Sequence, residues 1–428
     1  MPRKTLLHRV TVQEGLGKAS VPRRSVLIDG DRIEAVLPED LAPLHSPDVR
    51  VVDLDGRTVM PGMTLGHTHI AYLDVLDGRE MLFKYSVPEL TLAAAENTTR
   101  LLSLGYTAFV GAGSVAGIDM ALRNAVDSGR LRGPRITPCS RDLMVSGPPD
   151  RRNPEVKRRI PTDLMRLADT PEEMAEYVAT EIEQGAEIVK VFSSGDDTFP
   201  NGRSHELLFT AEELKIASRT AHEHGARVRA HSRGLDGIRN AIAAEVDVID
   251  HATYADDAAL EAIADRGIFV VPSLFQPHKL LTTGTRHGKT SDYLETLEFQ
   301  AEIDNTLRIL PLMVEMGIPV VAGDDFGFAW TPHGSYAEEL ETYVTMAGIP
   351  AATVLTWATA NGARMAGRGD DAGTVQAGRL ADLVITGDDP AEDITVLSRP
   401  GGIETVLLGG DTVAGSLDTY STPAGALR

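Results

Sequence analysis

Five times between residues 103 and 322, a helical pattern ends in glycine and runs directly into an apolar, β-branched stretch. Gly105 precedes 106–110, Gly185 precedes 186–192, Gly225 precedes 226–231, Gly267 precedes 268–271 and Gly317 precedes 318–322. Glycine just past a helix adopts the left-handed conformation that ends it without steric cost. Helix, glycine and buried strand in repetition predict αβ units around a parallel sheet. Helix starts carry their own signals. Thr170 stands before Pro171, and Thr210 with Glu213 spells a capping box. Strand candidates fall near 63–69, 106–111, 135–138, 187–193, 227–231, 246–251, 268–273 and 318–323. That count of eight is the number that closes a (β/α) barrel. An open doubly wound sheet is the runner-up, but no Gly-x-Gly-x-x-Gly follows a strand.

Both ends of the chain have a different texture. Residues 4–60 read as short strands, with Asp29-Gly30 marking a hairpin, and strand patterns return after about residue 373, where Gly409-Gly410 marks another. The expected architecture is therefore α/β. A TIM-like (β/α)8 barrel spans 62–372, and a small β-sandwich domain is built from both chain ends, 1–61 and 373–428. The polar stretches 147–169 and 274–292 read as loops over the C-terminal face of the barrel, where specificity resides.

Composition narrows the partners. The 428 residues include 41 Lys and Arg against 62 Asp and Glu, a net charge of −21. Nucleic acid and anionic membranes repel such a surface. No apolar run is long enough to span a bilayer and no signal peptide is evident, so the expectation is a cytoplasmic protein acting on a small molecule. The single cysteine, Cys139, excludes both an internal disulfide and a thiolate zinc site. It reads as a small buried hydrophobe.

Polar residues at the C-terminal ends of barrel strands face the active site. His67 and His69 end the first strand, two residues apart and so on one face. Lys190 lies inside the apolar fourth strand, where an unpaired ammonium would be costly. His231 ends the fifth strand, His251 the sixth, and Asp324-Asp325 the eighth. Imidazoles on one face suit zinc and related divalent ions. Neighbouring strand residues face opposite ways, so only one of Asp324 and Asp325 is expected to point inward.

These motifs resemble the amidohydrolase superfamily of metal-dependent hydrolases. The resemblance runs through Val59-Met-Pro-Gly62 into Gly66-His-Thr-His69, Val189-Lys190 with Ser194-Gly195, Ala230-His231, Ile249-Asp-His251, Gly323-Asp-Asp325-Phe-Gly and Ala377-Gly-Arg-Leu-Ala-Asp-Leu-Val384. More narrowly, the chain is similar to the imidazolonepropionase-related group that includes Xaa-Pro dipeptidases. The resemblance implies two zinc ions. His67, His69 and Asp325 would hold one, His231 and His251 the other, and a carbamylated Lys190 would bridge them. A hydroxide shared by the ions would attack a carbonyl, with Asp325 as general acid/base. It also implies a substrate contact from Tyr254, a further contact from His333, and a homo-oligomer. Where related peptidases carry Gly-Gly-His, this chain has Ser146-Gly-Pro-Pro149, which leaves room for a urea, carbamate or anilide in place of a dipeptide. A single-metal deaminase or urea/carbamate hydrolase is the alternative, and a non-catalytic binding protein on the same fold is a more distant one.

Overall fold

The computed structural model describes residues 3–160, 164–196 and 203–420. Part of the polar excursion 147–169, residues 161–163, lies outside them. By backbone contacts the chain divides into two compact units. One comprises Met1–Leu65, Thr99–Ala108 and Leu340–Arg428, and the other Gly66–Thr98 and Phe109–Glu339.

In the first unit, eight strands share one sheet, and both chain ends contribute. Strand Leu383–Thr386 pairs antiparallel with Thr58–Pro61 on one side and with Ile403–Leu408 on the other. Val21–Asp29 and Arg32–Pro38 form the hairpin expected at Asp29-Gly30, with Asp29 opposite Arg32. The second hairpin turns through Gly409-Gly410, with Leu408 opposite Asp411. Leu7, Val26, Val59, Leu383, Ile385 and Leu407 form the centre of its core, each fully buried.

The second unit holds six parallel strands in the order Met165–Leu167, Cys139–Met144, Ile188–Phe192, Arg227–Ser232, Val248–His251, Phe269–Val271. Burial on both faces explains their near-continuous apolar sequence. Helices between them start as expected. Thr210 Oγ1 accepts from the Glu213 N–H while the Glu213 carboxylate accepts from the Thr210 N–H. The five helix-ending glycines all have positive φ, from 65° at Gly267 to 106° at Gly185.

The first strand stops at Leu65, short of the expected 63–69, so His67 and His69 follow the strand rather than lie in it. Three further departures from the expected elements have physical causes. Around 318–323 the chain makes only an isolated parallel bridge, Val270 to Val320, with the Val321 N–H bonding the Val270 carbonyl. Pro319 has no N–H to donate there, and Gly323 leaves the β region at φ 153°. The third strand continues past its expected end as Cys139–Met144, and the excursion returns a strand of its own, Met165–Leu167. The stretch 274–292, expected as a loop, forms helix Phe275–Thr283, a 3-10 turn at Gly284–His287 and the start of helix Ser291–Glu295. Among the described residues, no helix is long and apolar enough to cross a membrane.

Leu383 sits where strands from opposite ends of the sequence meet. Leu383→Ala should therefore cost about 2–5 kcal/mol, the range for truncating a fully buried leucine. Denaturant unfolding measures it, and a loss below about 1 kcal/mol would show that this seam tolerates a cavity.

Candidate active site

The strand ends of the second unit bring His67, His69, His231, His251 and Asp325 into one buried cluster. Asp325 Oδ1 lies 2.9 Å from His67 Nε2 and 3.2 Å from His69 Nε2. Its other oxygen is 3.9 Å from His251 Nε2. His251 Nε2 and His231 Nδ1 approach to 3.0 Å. Close approach of the backbone makes this possible. A side chain at Gly323 would put its Cβ 2.2 Å from the His67 backbone nitrogen, so only glycine fits between that backbone and the Asp324-Asp325 turn. His251 itself is held at φ 73°, in the left-handed region that a non-glycine residue enters only under constraint.

The electrostatics favour neutral imidazoles beside an ionised carboxylate. Burial pushes His231 down to about 4, and burial with the Arg233 charge pushes His251 well below its ordinary value. Burial alone would raise Asp325, but its contacts with His67 and His69 hold it well below the usual carboxylate range. Neutral imidazole and carboxylate are the metal-ligating forms of these groups. His67, His69 and Asp325 form one set able to hold a metal ion, and His251, Asp324 and Asp325 a second, with ligand atoms within 4.8 Å in each. The fit is good in two respects. His67 Nε2, the nitrogen turned toward the cluster, has no hydrogen-bond partner among the described residues although Asp325 Oδ1 stands 2.9 Å away. Two nitrogens bound to one tetrahedral zinc would stand about 3.3 Å apart for Zn–N near 2.05 Å, close to the His231–His251 spacing.

Asp324 and Asp325 part ways, although neither lies in a strand. The Asp324 carboxylate accepts from Ser273 Oγ at 2.7 Å, the Gln276 N–H at 3.0 Å and the Leu274 N–H at 3.2 Å. It is thereby tied to the loop after strand Phe269–Val271.

Lys190 is fully buried, and its Nζ lies 2.5 Å from Asp250 Oδ2. Asp250 also receives Arg229, Nη2 to Oδ1 at 2.5 Å and Nε to Oδ2 at 3.1 Å. Arg229, wholly buried, reaches His67 Nδ1 at 3.1 Å and donates to the carbonyls of Gly66 and Gly111. A second buried arginine, Arg233, binds Asp196 and Glu302 at 2.8 Å each and stands 3.5 Å from Asp325 Oδ2. Neither arginine, nor Asp250, was singled out from the sequence. A charged residue inside a strand is visible there, but its partner on another strand is not.

Beside the cluster lies a small cavity of about 40 Å³. His69, Lys190, His231 and Asp325 line one side, and Asp142, Asp196 and Gln276 reach it as well. Tyr72, Phe192 and Phe328 supply aromatic wall. Asp142 owes its position to a bulge. Ile188 pairs with Cys139 but Lys190 pairs with Asp142, so an extra residue on the third strand re-aims the side chains. Tyr254 and His333 do not appear among the residues lining this cavity. Tyr254 packs on His205 with ring centroids 4.3 Å apart. His333 Nδ1 pairs with the Tyr336 hydroxyl at 2.9 Å. Cys139 is buried, and burial pushes its thiol up, away from the thiolate a nucleophile needs.

Comparison with known proteins agrees with this arrangement. The sequence profile of the Amidohydrolase family matches residues 58–413. The chain belongs to that family. Its members typically use divalent metals, and the histidine–aspartate groups above are this chain's candidates to hold them. Ochratoxinase of Aspergillus niger is 28% identical over 250 residues, 58% of this chain and 51% of the relative. The chain thus spans about half the length of the curated relatives it matches there. Imidazolonepropionase of Geobacillus kaustophilus is 24% identical, with 92% of this chain and 91% of the relative covered. Among solved structures, a prolidase complexed with N-methylphosphonate-L-proline superposes with a TM-score of 0.84 at 24% identity, covering 96% of this chain and all of that one. That likeness is one of fold.

Arg229→Met should destabilise the protein by about 3–5 kcal/mol, because it removes the two-point partner of a buried carboxylate and leaves the Gly66 and Gly111 carbonyls without their donor. Adding Asp250→Leu should recover part of that loss. Thermal and denaturant unfolding of the two variants measure it, and equal stability of Arg229→Met and wild type would contradict the assignment. The Arg229 and Lys190 charges hold Asp250 well below the usual carboxylate range despite its burial. Its contribution to stability is thus full at neutral pH and is lost only as pH falls below the ordinary carboxylate range, through the depressed folded value.

Proposed function

We propose that this chain is a binuclear metal-dependent amidohydrolase that hydrolyses an amide-like C–N bond of a small molecule. Support for the reading comes chiefly from one observation: Asp325 Oδ1 within 3.2 Å of two imidazoles just past strand Met63–Leu65, beside a pair of imidazole nitrogens 3.0 Å apart. In this reading His67, His69 and Asp325 hold one ion and His231 and His251 a second, with Lys190 between them as a carbamate. Members of the family are hydrolases acting on C–N bonds, in keeping with that chemistry. The catalytic unit is taken as a barrel over 62–372, with a small β domain from 1–61 and 373–428.

When bound, a divalent pair polarises the scissile carbonyl and brings the pKa of water toward neutrality. The remaining work falls to the chain. Asp325, ionised and within reach of both ligand sets, takes the proton of the attacking water and returns it to the leaving nitrogen. Asp250 Oδ1, 3.3 Å from His67 Nδ1, can accept the Nδ1–H and so leave the Nε2 lone pair for the site. Tyr72, Phe192 and Phe328 limit water beside the reacting group. Tyr254 and His333 remain candidate substrate contacts on the surrounding loops, Tyr254 as a phenol to the scissile carbonyl.

A single-metal deaminase or urea/carbamate hydrolase is the second reading. It is favoured by the pairing of Lys190 Nζ with Asp250, which is that of a free ammonium.

Asp325→Asn should lower turnover by about 10²–10⁴-fold, the range for losing a general acid/base, while Asp324→Asn should leave more activity. Steady-state assays on dipeptides, N-acyl-amino acids, carbamates and ureas measure both. An active Asp325→Asn beside an inactive Asp324→Asn would show the proton is carried by the other carboxylate.

A further inference from the structure

The cavity contains a side chain that the proposed reaction does not use. Gln276 is wholly buried, yet neither its Oε1 nor its Nε2 has a hydrogen-bond partner among the described residues. Burying a carboxamide with both of its bonds unmade is unfavourable unless something else completes them. The residue is not loosely placed. Its N–H donates to Asp324 Oδ2 at 3.0 Å, and the same carboxylate takes Ser273 and the Leu274 N–H, so the start of helix Phe275–Thr283 is pinned beside the site. Gln276 thus presents one donor and one acceptor side by side at the cavity wall.

The charges around it point the same way. Asp142 Oδ1 also lacks a hydrogen-bond partner among the described residues. A substrate carboxylate set against Gln276 could take the Nε2 donor but, having no N–H of its own, would leave Oε1 unpaired. A neutral group carrying its own N–H and C=O meets complementary partners.

We propose that Gln276 is a specificity-determining residue whose Nε2 and Oε1 pair with a carboxamide-type C=O and N–H edge on the substrate. The enzyme would thereby select neutral amide- or ureide-bearing molecules over their carboxylate counterparts. This rests on the amidohydrolase reading above and narrows its substrate class. A site built to hydrogen-bond a polar edge discriminates strongly against analogues that leave its buried groups unpaired.

The test uses two matched probes, N-acetyl-L-phenylalaninamide and N-acetyl-L-phenylalanine, on the full-length zinc-loaded protein. Calorimetry gives binding, and release of the free amine gives turnover. The amide should be preferred by about tenfold or more in Kd or KM. Gln276→Leu should erase that preference, with the loss falling on KM rather than kcat and with metal content intact. Gln276→Glu, nearly isosteric, should weaken the acid further, which separates recognition from misfolding. Equal affinity for the two probes, preference for the acid, no binding of either, or an unchanged preference in Gln276→Leu would each overturn the proposal. Selective binding of the amide without hydrolysis would instead uphold Gln276 and count against the hydrolase reading. Hydrolysis of both probes without preference would do the reverse.

Discussion

The site rests on a carboxylate that has no access to water. Asp250 is fully buried and is neutralised by two side chains that are themselves buried, Arg229 and Lys190. Removing Asp250 leaves two buried cations without their counter-charge, in a medium that solvates them poorly. The constraint propagates upward. Arg229, fixed by Asp250 and by the Gly66 and Gly111 carbonyls, packs 3.1 Å from His67 Nδ1, and Asp250 Oδ1, 3.3 Å from the same nitrogen, is the acceptor that can take its proton and leave Nε2 for the cluster above. Orientation of a ligand histidine through its far nitrogen is how protein surroundings tune a metal site.

Above this floor, two adjacent carboxylates are separated in role by what surrounds them. Burial raises Asp324, and the neighbouring Asp325 charge raises it further, against the bonds it accepts from the 273–276 loop. Asp325 is pulled the other way by His67 and His69. One carboxylate therefore organises protein and the other faces the chemistry. Gln276 belongs to the same arrangement, since the residue that positions it is Asp324.

Much of this was legible in the sequence, for reasons that can be named. Local signals act over a turn or less, so the helix-ending glycines, the Thr210 capping box and the Asp29-Gly30 hairpin were readable residue by residue. His67 and His69 were read as sharing a strand face, whereas the strand ends at Leu65 and both rings reach Asp325 from the segment that follows it. What failed to show depended on departures from that period or on distant partners. Asp250 adjoins His251 and should face away from it, but the left-handed φ of His251 breaks the alternation. Asp142 is re-aimed by a bulge opposite Lys190. Gln276 looks unremarkable in sequence, and only its burial without partners distinguishes it. The eighth strand was read from apolar residues that are indeed buried, yet a proline and a glycine leave it a single bridge.

The central claim is that the buried histidines and Asp325 hold divalent metal, and metal content tests it most directly. Protein grown with zinc and bicarbonate should carry about two equivalents per chain by plasma mass spectrometry, as expected of a two-metal site. His231→Ala should lose at least one of them. No bound metal, or undiminished metal in His231→Ala, would contradict the account.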